Sequence, residues 1–251
     1  MISSSTHPSE NNWYNNNDPC FSWTTPVDAS GISGYSYVLD QYSSTIPNTT
    51  IDTTGNSVCY SDISDRTWYF HVRAKDNAGN WGSADHYKVK IDTTPPSAPI
   101  PDDGVSGWSN DNTPTFTWNA PSDTSGIEGY YYNIDNGTDT WITSNSVTLS
   151  AQRDGNHTFY VKAKDKAGNL GSYGTHDFSI DTVSPSAPIP DDGVSGWSND
   201  NTPTFTWNLP SDTSGIEGYY YKIDSGSDTW ITSNSVTLSA QRDGNHTFYV
   251  K

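Results

Sequence analysis

The sequence contains little of what helical bundles, nucleic-acid-binding proteins or membrane spans require. Leucine is scarce and methionine occurs once, which argues against helical bundles. Twelve Lys and Arg stand against 29 Asp and Glu, a formal net charge of −17. Because phosphate contacts need cations, we expect no nucleic-acid partner. No apolar run is long enough to cross a bilayer, and the first residues have neither the basic nor the apolar region of a signal peptide.

Large aromatic side chains and turn-forming residues make up much of the chain instead. Ten Trp and sixteen Tyr among 251 residues argue against a disordered polar tract and favour several small cores built on rings. Thr, Ser, Asn, Asp, Gly and Pro dominate the remainder, which is typical of strands and turns.

The chain consists of repeats. "FTWNAPSDTSGIEGYYYNID" begins at Phe116 and returns at Phe205, 89 residues later, as "FTWNLPSDTSGIEGYYYKID". A looser copy precedes both and aligns Trp23 with Trp118. Pro-rich segments, which act as stiff spacers, separate the copies. We predict three domains, at 1–94, 95–183 and 184–251.

Within each repeat, apolar and polar residues alternate with a period of two. Phe116 and Trp118 share one face, as do Phe159, Val161 and Ala163. This alternation indicates half-buried antiparallel strands. About seven short strands in each repeat predict an all-β fold of tandem two-sheet sandwiches.

A Trp followed by "xxP", then "GIxGYxYxID", "VxLS" and "DGxHTFxVxAxDxAGNxG", resembles the bacterial immunoglobulin-like and fibronectin type III repeats of extracellular surface proteins. Fibronectin type III units usually carry a Tyr at the start of strand F, where this chain has Trp68, His157 or His246. The bacterial immunoglobulin-like variety therefore fits better. The resemblance implies strands A, B and E in one sheet and G, F, C and C′ in the other.

This implied strand order places Cys20 and Cys59 at facing positions of strands B and E, where the second repeat has Thr115 and Thr148. The resemblance thus implies a Cys20–Cys59 disulfide and export to an oxidising compartment. The alternative is two free thiols in a reducing cell.

No catalytic set stands out. The six His do not form a recognisable triad with a nucleophile and an acid, and phosphate-loop, HExxH and zinc motifs are missing. Near-identical copies also argue against an enzyme, because one active site needs no repetition. We expect no catalysis, and calcium is the one cofactor that the residues suggest.

Acidic loops carry the candidate calcium ligands. In this fold the B–C and F–G loops share one pole, which the preceding strand G also reaches, so hard oxygen ligands can gather there. Related surface repeats bind calcium in this way, which the resemblance extends to this chain. The alternative is that the same Asp and Gly residues only form turns. The candidate ligands are Asp28, Asp76, Asn80, Asp92, Asp123, Asp165, Asn169, Asp181 and Asp212.

Two other surface features have candidate roles. Trp141 and Trp230, with outward Tyr131 or Tyr160, form a candidate sugar-stacking face; alternatively, they cap the sandwich edge. Four N-x-S/T sequons weakly favour an exported glycoprotein. They lie at Asn48, Asn136, Asn156 and Asn245.

These features favour a structural or adhesive extracellular repeat array, such as a stalk, surface layer, filament or adhesin spacer. The alternative is a set of accessory or carbohydrate-binding modules of a secreted polysaccharide-degrading enzyme. The expected partners are other copies of the chain or cell-surface proteins and glycans. The third repeat stops before strand G, so we expect either a longer array that has been cut or strand addition by another chain.

Overall fold

The computed structural model describes residues 1–251 and contains strands but no helix. The strands are β1 (Ile2–Ser4), β2 (Trp13–Tyr14), β3 (Cys20–Trp23), β4 (Ile32–Asp40), β5 (Ser57–Cys59), β6 (Arg66–Asp76), β7 (Asp85–Ile91), β8 (Trp108–Ser109), β9 (Thr115–Thr117), β10 (Ile127–Ile134), β11 (Thr140–Ile142), β12 (Ser146–Thr148), β13 (Gly155–Asp165), β14 (Gly174–Ile180), β15 (Pro190–Asp191), β16 (Thr204–Trp207), β17 (Tyr219–Ile223), β18 (Thr229–Ile231), β19 (Ser235–Thr237) and β20 (Phe248–Val250). The predicted all-β fold is confirmed. None of the chain forms a helix with the length and apolar character of a membrane span.

The first repeat is a two-sheet sandwich. One sheet has the order β1-β3-β5 and the other the order β2-β7-β6-β4. Phe21 from the first sheet stacks on Phe70 from the second, with ring centroids 4.4 Å apart, and both rings are fully buried. This stacked pair is the centre of a core in which the alternating apolar residues of both sheets meet.

The second and third repeats keep most of this pairing, but the implied strand A is wrong for the second repeat, where it is reduced to an isolated bridge between Asp102 and Thr117. Their larger sheets have the orders β11-β10-β13-β14-β8 and β18-β17-β20, and their smaller ones β12-β9 and β15-β16-β19. Phe116 stacks on Phe159 at 4.2 Å, and Phe205 stacks on Phe248 at 4.1 Å. The period-two pattern therefore predicted the buried faces correctly, since Phe159, Val161 and Ala163 are all fully buried.

Spatial contacts divide the chain into two compact units. The first comprises Met1–Gly104, Thr115–Thr148 and Thr158–Asp177, and the second comprises Val105–Pro114, Leu149–His157 and Phe178–Lys251. This division follows packing and not the sequence repeat, so the domain bounds 1–94, 95–183 and 184–251 stay a prediction.

The predicted disulfide is present. Cys20 of β3 and Cys59 of β5 are direct cross-strand partners with Cα atoms 4.0 Å apart, and their sulfurs are bonded. At the same place in the second repeat, the hydroxyls of Thr115 and Thr148 lie 2.8 Å apart in a hydrogen bond. Two different lateral links thus occupy one position of the sandwich.

The implied C′ strand is missing from the first repeat, where that expectation was wrong. The second repeat pairs β11 with β10, whereas the first has only an isolated bridge between Tyr35 and Thr53 beside β4. The longer loop is held instead by Asp52, whose carboxylate accepts hydrogen bonds from Ser36 Oγ and Tyr37 N–H, both at 2.9 Å. Together with the backbone bonds that Tyr35 makes to Asp52 and Thr53, these side-chain bonds replace the strand ladder there.

At the start of strand F, where fibronectin type III units usually carry a Tyr, other rings make a comparable hydrogen bond. Trp68 Nε1 donates a hydrogen bond to the Ser64 carbonyl at 2.9 Å. His157 Nε2 lies 2.8 Å from the carbonyl oxygen of Arg153, also four residues upstream. A ring N–H therefore ties the strand start to the preceding loop, as the phenol does in a tyrosine corner.

Candidate functional site

Three carboxylates lie together at the junction between the first and second repeats. Asp92 directly follows β7, Asp123 lies between β9 and β10, and Asp165 is the last residue of β13. Each offers an oxygen within 4.8 Å of an oxygen of the other two, and Asp92 and Asp165 are fully buried. The structure thus brings three of the predicted calcium ligands together.

The loops that carry these carboxylates are closed by their own side chains. Asp123 Oδ1 accepts a hydrogen bond from the Gly126 N–H at 3.0 Å. Asp165 Oδ1 accepts bonds from the Gly168 and Asn169 N–H groups at 2.7 and 2.8 Å. Gly126 and Gly168 have φ angles of 80° and 101°, which glycine adopts without steric cost. These residues therefore close hydrogen-bonded turns with their own carboxylates.

Hydrogen bonds also join the end of β7 to the loops of the second repeat. Asp92 Oδ2 accepts a bond from the Ser125 N–H at 2.9 Å. Asn169 Nδ2 donates to the Asp92 backbone carbonyl at 2.8 Å and to Asp165 Oδ2 at 2.7 Å. Asn169, a predicted calcium ligand, therefore serves as a hydrogen-bond donor that links two of the carboxylate residues.

Burial of the carboxylates and the repulsion between them are the costs of this arrangement. Burial raises the pKa of the Asp123 carboxyl, and the carboxylates of Asp92 and Asp165 raise it further. Like charges this close disfavour full ionisation. Two oxygens bound to one Ca²⁺ at about 2.4 Å each can be up to about 4.8 Å apart, so the spacing suits a shared cation. A proton held by the cluster also relieves the repulsion, and calcium binding stays a prediction.

The other predicted ligands form smaller sets. Asp28 Oδ1 accepts a bond from the Ser30 N–H at 2.8 Å, and Asp76 Oδ2 accepts one from Asn80 Nδ2 at 2.8 Å. These residues of the first repeat close turns and belong to neither of the groups of three in which potential ligand atoms converge.

The junction between the second and third repeats reproduces part of the cluster. The Ser214 N–H donates to Asp181 Oδ2 at 2.9 Å and to Asp212 Oδ1 at 3.1 Å, as Ser125 does for Asp92 and Asp123. The hydrogen bond from Ser214 lowers the pKa of the Asp181 carboxyl.

Sequence reasoning missed a second group of potential ligands. Asp102, Asp103 and His176 bring their ligand atoms within 4.8 Å of one another. His176 Nε2 lies 3.3 Å from Asp103 Oδ1, an ion pair when the ring is protonated. His176 is far from the adjacent Asp102 and Asp103 in the sequence and the three follow no motif spacing, so only the folded chain reveals the group.

The candidate sugar-stacking residues are partly exposed. Trp141 is 38% exposed and Trp230 is 44% exposed. Trp141 pairs with Tyr131 of the neighbouring strand, with ring centroids 4.8 Å apart. Tyr160 contacts Tyr173 with centroids 5.8 Å apart. The aromatic side chains named from the sequence therefore lie on a sheet surface and not in the core.

All four sequon asparagines are exposed, and glycosylation stays a prediction. Two of them use their side chains within the fold, since Asn156 Oδ1 accepts a bond from Ser179 Oγ and Asn48 Oδ1 accepts one from the Thr50 N–H, both at 2.7 Å. The four lie at Asn48, Asn136, Asn156 and Asn245.

The sheet orders, the cross-sheet Phe pairs and the repeat define immunoglobulin-like, fibronectin III-like sandwich modules. Residues 99–182 match the family model of the bacterial Ig-like domain. The family resemblance predicted from the sequence is thereby confirmed for this segment.

Several known proteins are similar to the chain. Chitinase A1 of Niallia circulans is 33% identical over 172 residues, which are 64% of this chain and 24% of the chitinase. Exoglucanase A of Cellulomonas fimi is 36% identical over 114 residues, 41% of this chain and 13% of that protein. This chain thus spans a quarter or less of the length of these curated relatives.

Among solved structures, the fibronectin(III)-like modules of Clostridium thermocellum CbhA cover 72% of this chain and 94% of their own, at 14% identity and a TM-score of 0.35.

Proposed function

We propose that this chain is a set of accessory modules of a secreted polysaccharide-degrading enzyme. The observation that carries the proposal is the similarity to restricted segments of a chitinase and an exoglucanase, at 33% and 36% identity. The segment of this chain that aligns with the chitinase is 172 residues long, which is more than one repeat. A tandem module that accompanies a hydrolase is thus the function that these relatives support best.

The role assigned to the modules is spacing and positioning, and no catalytic step is assigned to them. The polar junction around Asp92 supports this role, because hydrogen bonds from Ser125 and Asn169 hold the end of β7 against the next repeat. A stiff junction keeps an attached domain at a defined distance from whatever the modules contact.

The structural or adhesive array remains the second candidate. The tandem repeat and the same hydrogen-bonded junction would also suit a stalk or filament. The similarity to hydrolases favours the accessory role over the array. The disulfide supports extracellular placement for either role, because such bonds persist in oxidising compartments.

The experiment compares the native polypeptide that carries residues 1–251 with a version from which they are deleted. We expect a hydrolase domain in the native polypeptide, and we expect the deletion to lower the rate on insoluble chitin or cellulose while leaving the rate on soluble oligosaccharides unchanged. A native polypeptide made of repeats alone, or equal rates on insoluble substrate, would contradict the proposal and favour the array.

A further inference from the structure

We propose that the outer face of the second repeat, together with the matching ring pair of the third, binds an uncharged polysaccharide. We call it the aromatic face and define it by Tyr131, Trp141, Lys162, Lys164 and Tyr173. The choice of a polysaccharide rests on the proposed accessory function, whereas the geometry and the charge of the face are observations in their own right.

The ring pair of this face lies over a glycine of the sheet. Tyr131 and Trp141 are direct cross-strand partners. The indole of Trp141 covers Gly129, where an added Cβ atom would lie 2.6 Å from the ring. A side chain at this position would push the indole away, so the glycine lets the ring lie against the backbone. The remaining 38% of Trp141 is available to solvent.

Polar groups stand beside the rings. Lys162 Nζ lies 2.9 Å from the Tyr173 hydroxyl, which in turn donates to Asp139 Oδ1 at 2.6 Å. Asn133 Nδ2 donates to the same carboxylate at 2.7 Å, while its buried Oδ1 has no hydrogen-bond partner. A flat apolar ring next to fixed polar groups suits a ligand that has an apolar face and hydroxyls on its rim, as a pyranose has.

The charges of the face cancel. Lys162 forms an ion pair with Asp139 at 2.8 Å, and Lys164 forms one with Glu128 at 2.7 Å. Both lysines also lie near rings, since Lys162 is 4.4 Å from the centroid of Tyr173. A neutral face on a chain of net charge −17 offers no free cation to an anionic polymer, which favours an uncharged ligand.

The ring pair and the glycine beneath it recur in the third repeat, and the ring pair is missing from the first. Tyr220 and Trp230 are paired with centroids 4.8 Å apart, and Trp230 covers Gly218. In the first repeat, Ile51 covers the equivalent Gly34. The third repeat therefore offers a second ring pair of the same kind to a polymer that presents the same unit many times.

The test measures binding of the 251-residue chain to insoluble chitin and cellulose, and to heparin as an anionic polymer. We expect binding to at least one uncharged polymer and none to heparin. The double variant Trp141→Ala/Trp230→Ala should weaken that binding by at least about tenfold. The matched control is Trp108→Ala, which removes an indole of similar exposure, 39%, on a strand that is not hydrogen-bonded to β10 or β11.

A second variant guards against misfolding. Trp141→Tyr/Trp230→Tyr keeps a ring over each glycine and should retain binding within about threefold, with an unchanged circular dichroism spectrum. No binding to either uncharged polymer, binding to heparin alone, or equal losses in the Trp108→Ala control would overturn the proposal. If the aromatic face does not bind either uncharged polymer while deletion of residues 1–251 still lowers the rate on insoluble substrate, this inference is wrong and the proposed accessory function is retained.

Discussion

The first and second repeats have the same core and different outer layers. Phe21 on Phe70 and Phe116 on Phe159 are stacked with interplanar angles of 2° and 3°. Between β3 and β5, however, the first repeat has the Cys20–Cys59 disulfide, whereas between β9 and β12 the second has a hydrogen bond between threonines. The difference teaches that the buried ring pair specifies the sandwich, while the exposed cross-strand positions accept quite different chemistry.

The outer faces of the larger sheets differ as well. His71 of the first repeat is fully buried, with Nδ1 2.6 Å from His86 Nδ1 and Nε2 3.3 Å from Asp40 Oδ1. The equivalent position of the second repeat is Tyr160, which contacts Tyr173. One repeat therefore carries a buried titratable group on this face, and the other carries aromatic rings and lysines.

The largest expected effect comes from removing the shared core. Phe70→Ala and Phe159→Ala should each cost about 3–5 kcal/mol of unfolding free energy, because each leaves a cavity and an unpaired ring. Hydrogen exchange read separately over each repeat is the appropriate measurement, since one global melt would mix them. A loss below about 1 kcal/mol in either repeat would show that its Phe pair does not organise the core.

The next largest effect is expected when the disulfide of the first repeat is replaced by the threonine pair of the second. Cys20→Thr/Cys59→Thr copies the second repeat and should cost the first repeat about 3 kcal/mol. The disulfide closes a loop 39 residues long, worth about 4 kcal/mol by loop entropy, and a hydroxyl pair returns about 1 kcal/mol. Denaturant unfolding of oxidised and reduced wild-type protein is the control. A stability equal to that of the oxidised wild type would mean that the link is not needed.

Calcium should distinguish the complete acidic cluster from the incomplete loops of the first repeat. If the cluster binds Ca²⁺, a concentration 100 times the dissociation constant adds about 2.7 kcal/mol of stability. Calorimetry with calcium and with a chelator measures this, and Asp165→Asn should abolish it while Asp76→Asn should not. If calcium has no effect on the wild type, a proton held by the cluster, and not a cation, relieves the repulsion between its carboxylates. In that case the stability contributed by protonated Asp123, whose pKa is raised in the folded state, falls as the pH rises through this raised pKa.

A glycine substitution tests the support of the aromatic face. At Gly129 an added Cβ would lie 2.6 Å from both the Ile142 carbonyl oxygen and the Trp141 ring, whereas at Gly34 the closest atom, also at 2.6 Å, is the Ile51 Cγ2 methyl and the backbone oxygen of Thr53 is farther away, at 3.0 Å. Gly129→Ala should therefore cost about 1–3 kcal/mol and Gly34→Ala less. Thermal unfolding of the two variants compares them, and a larger loss for Gly34→Ala would refute the assignment.

The smallest effect is the pH dependence that the buried histidines give to the first repeat. Burial lowers the pKa of His71 and of His7 below 6.5, so the folded state binds fewer protons than the unfolded state. The stability from these residues is present above pH 6.5 and is lost as the pH falls toward the lowered values, by at most about 1.4 kcal/mol per pH unit for each His. His71→Tyr, the residue of the second repeat, should flatten this slope in hydrogen exchange. An unchanged slope would exclude His71 as its source.

Much of the fold was predictable from residue order. Alternation at Phe159, Val161 and Ala163 identified a buried strand face, since a strand turns successive side chains to opposite sides. The disulfide was predictable because the resemblance supplied the neighbour of each strand. The loss of the C′ strand in the first repeat was not, because a longer loop can form either a ladder or side-chain bonds such as those of Asp52.

The candidate sites were harder to predict from the sequence than the fold. Asp92, Asp123 and Asp165 could be grouped from loop positions, but the donor role of Asn169 and the raised pKa of Asp123 depend on distances that no spacing encodes. The group of Asp102, Asp103 and His176 and the pairing of His71 with His86 had no sequence signal at all.

Composition, the 89-residue repeat and the period-two pattern were enough to establish tandem β-sandwiches with ring-based cores, because alternation and turn residues act locally along the chain. Which carboxylates share a junction, which glycine lies under an indole and which lysine is neutralised by which acid were settled by folding alone. These are contacts between residues far apart in sequence, and their energies depend on distance and burial, which a linear pattern does not contain.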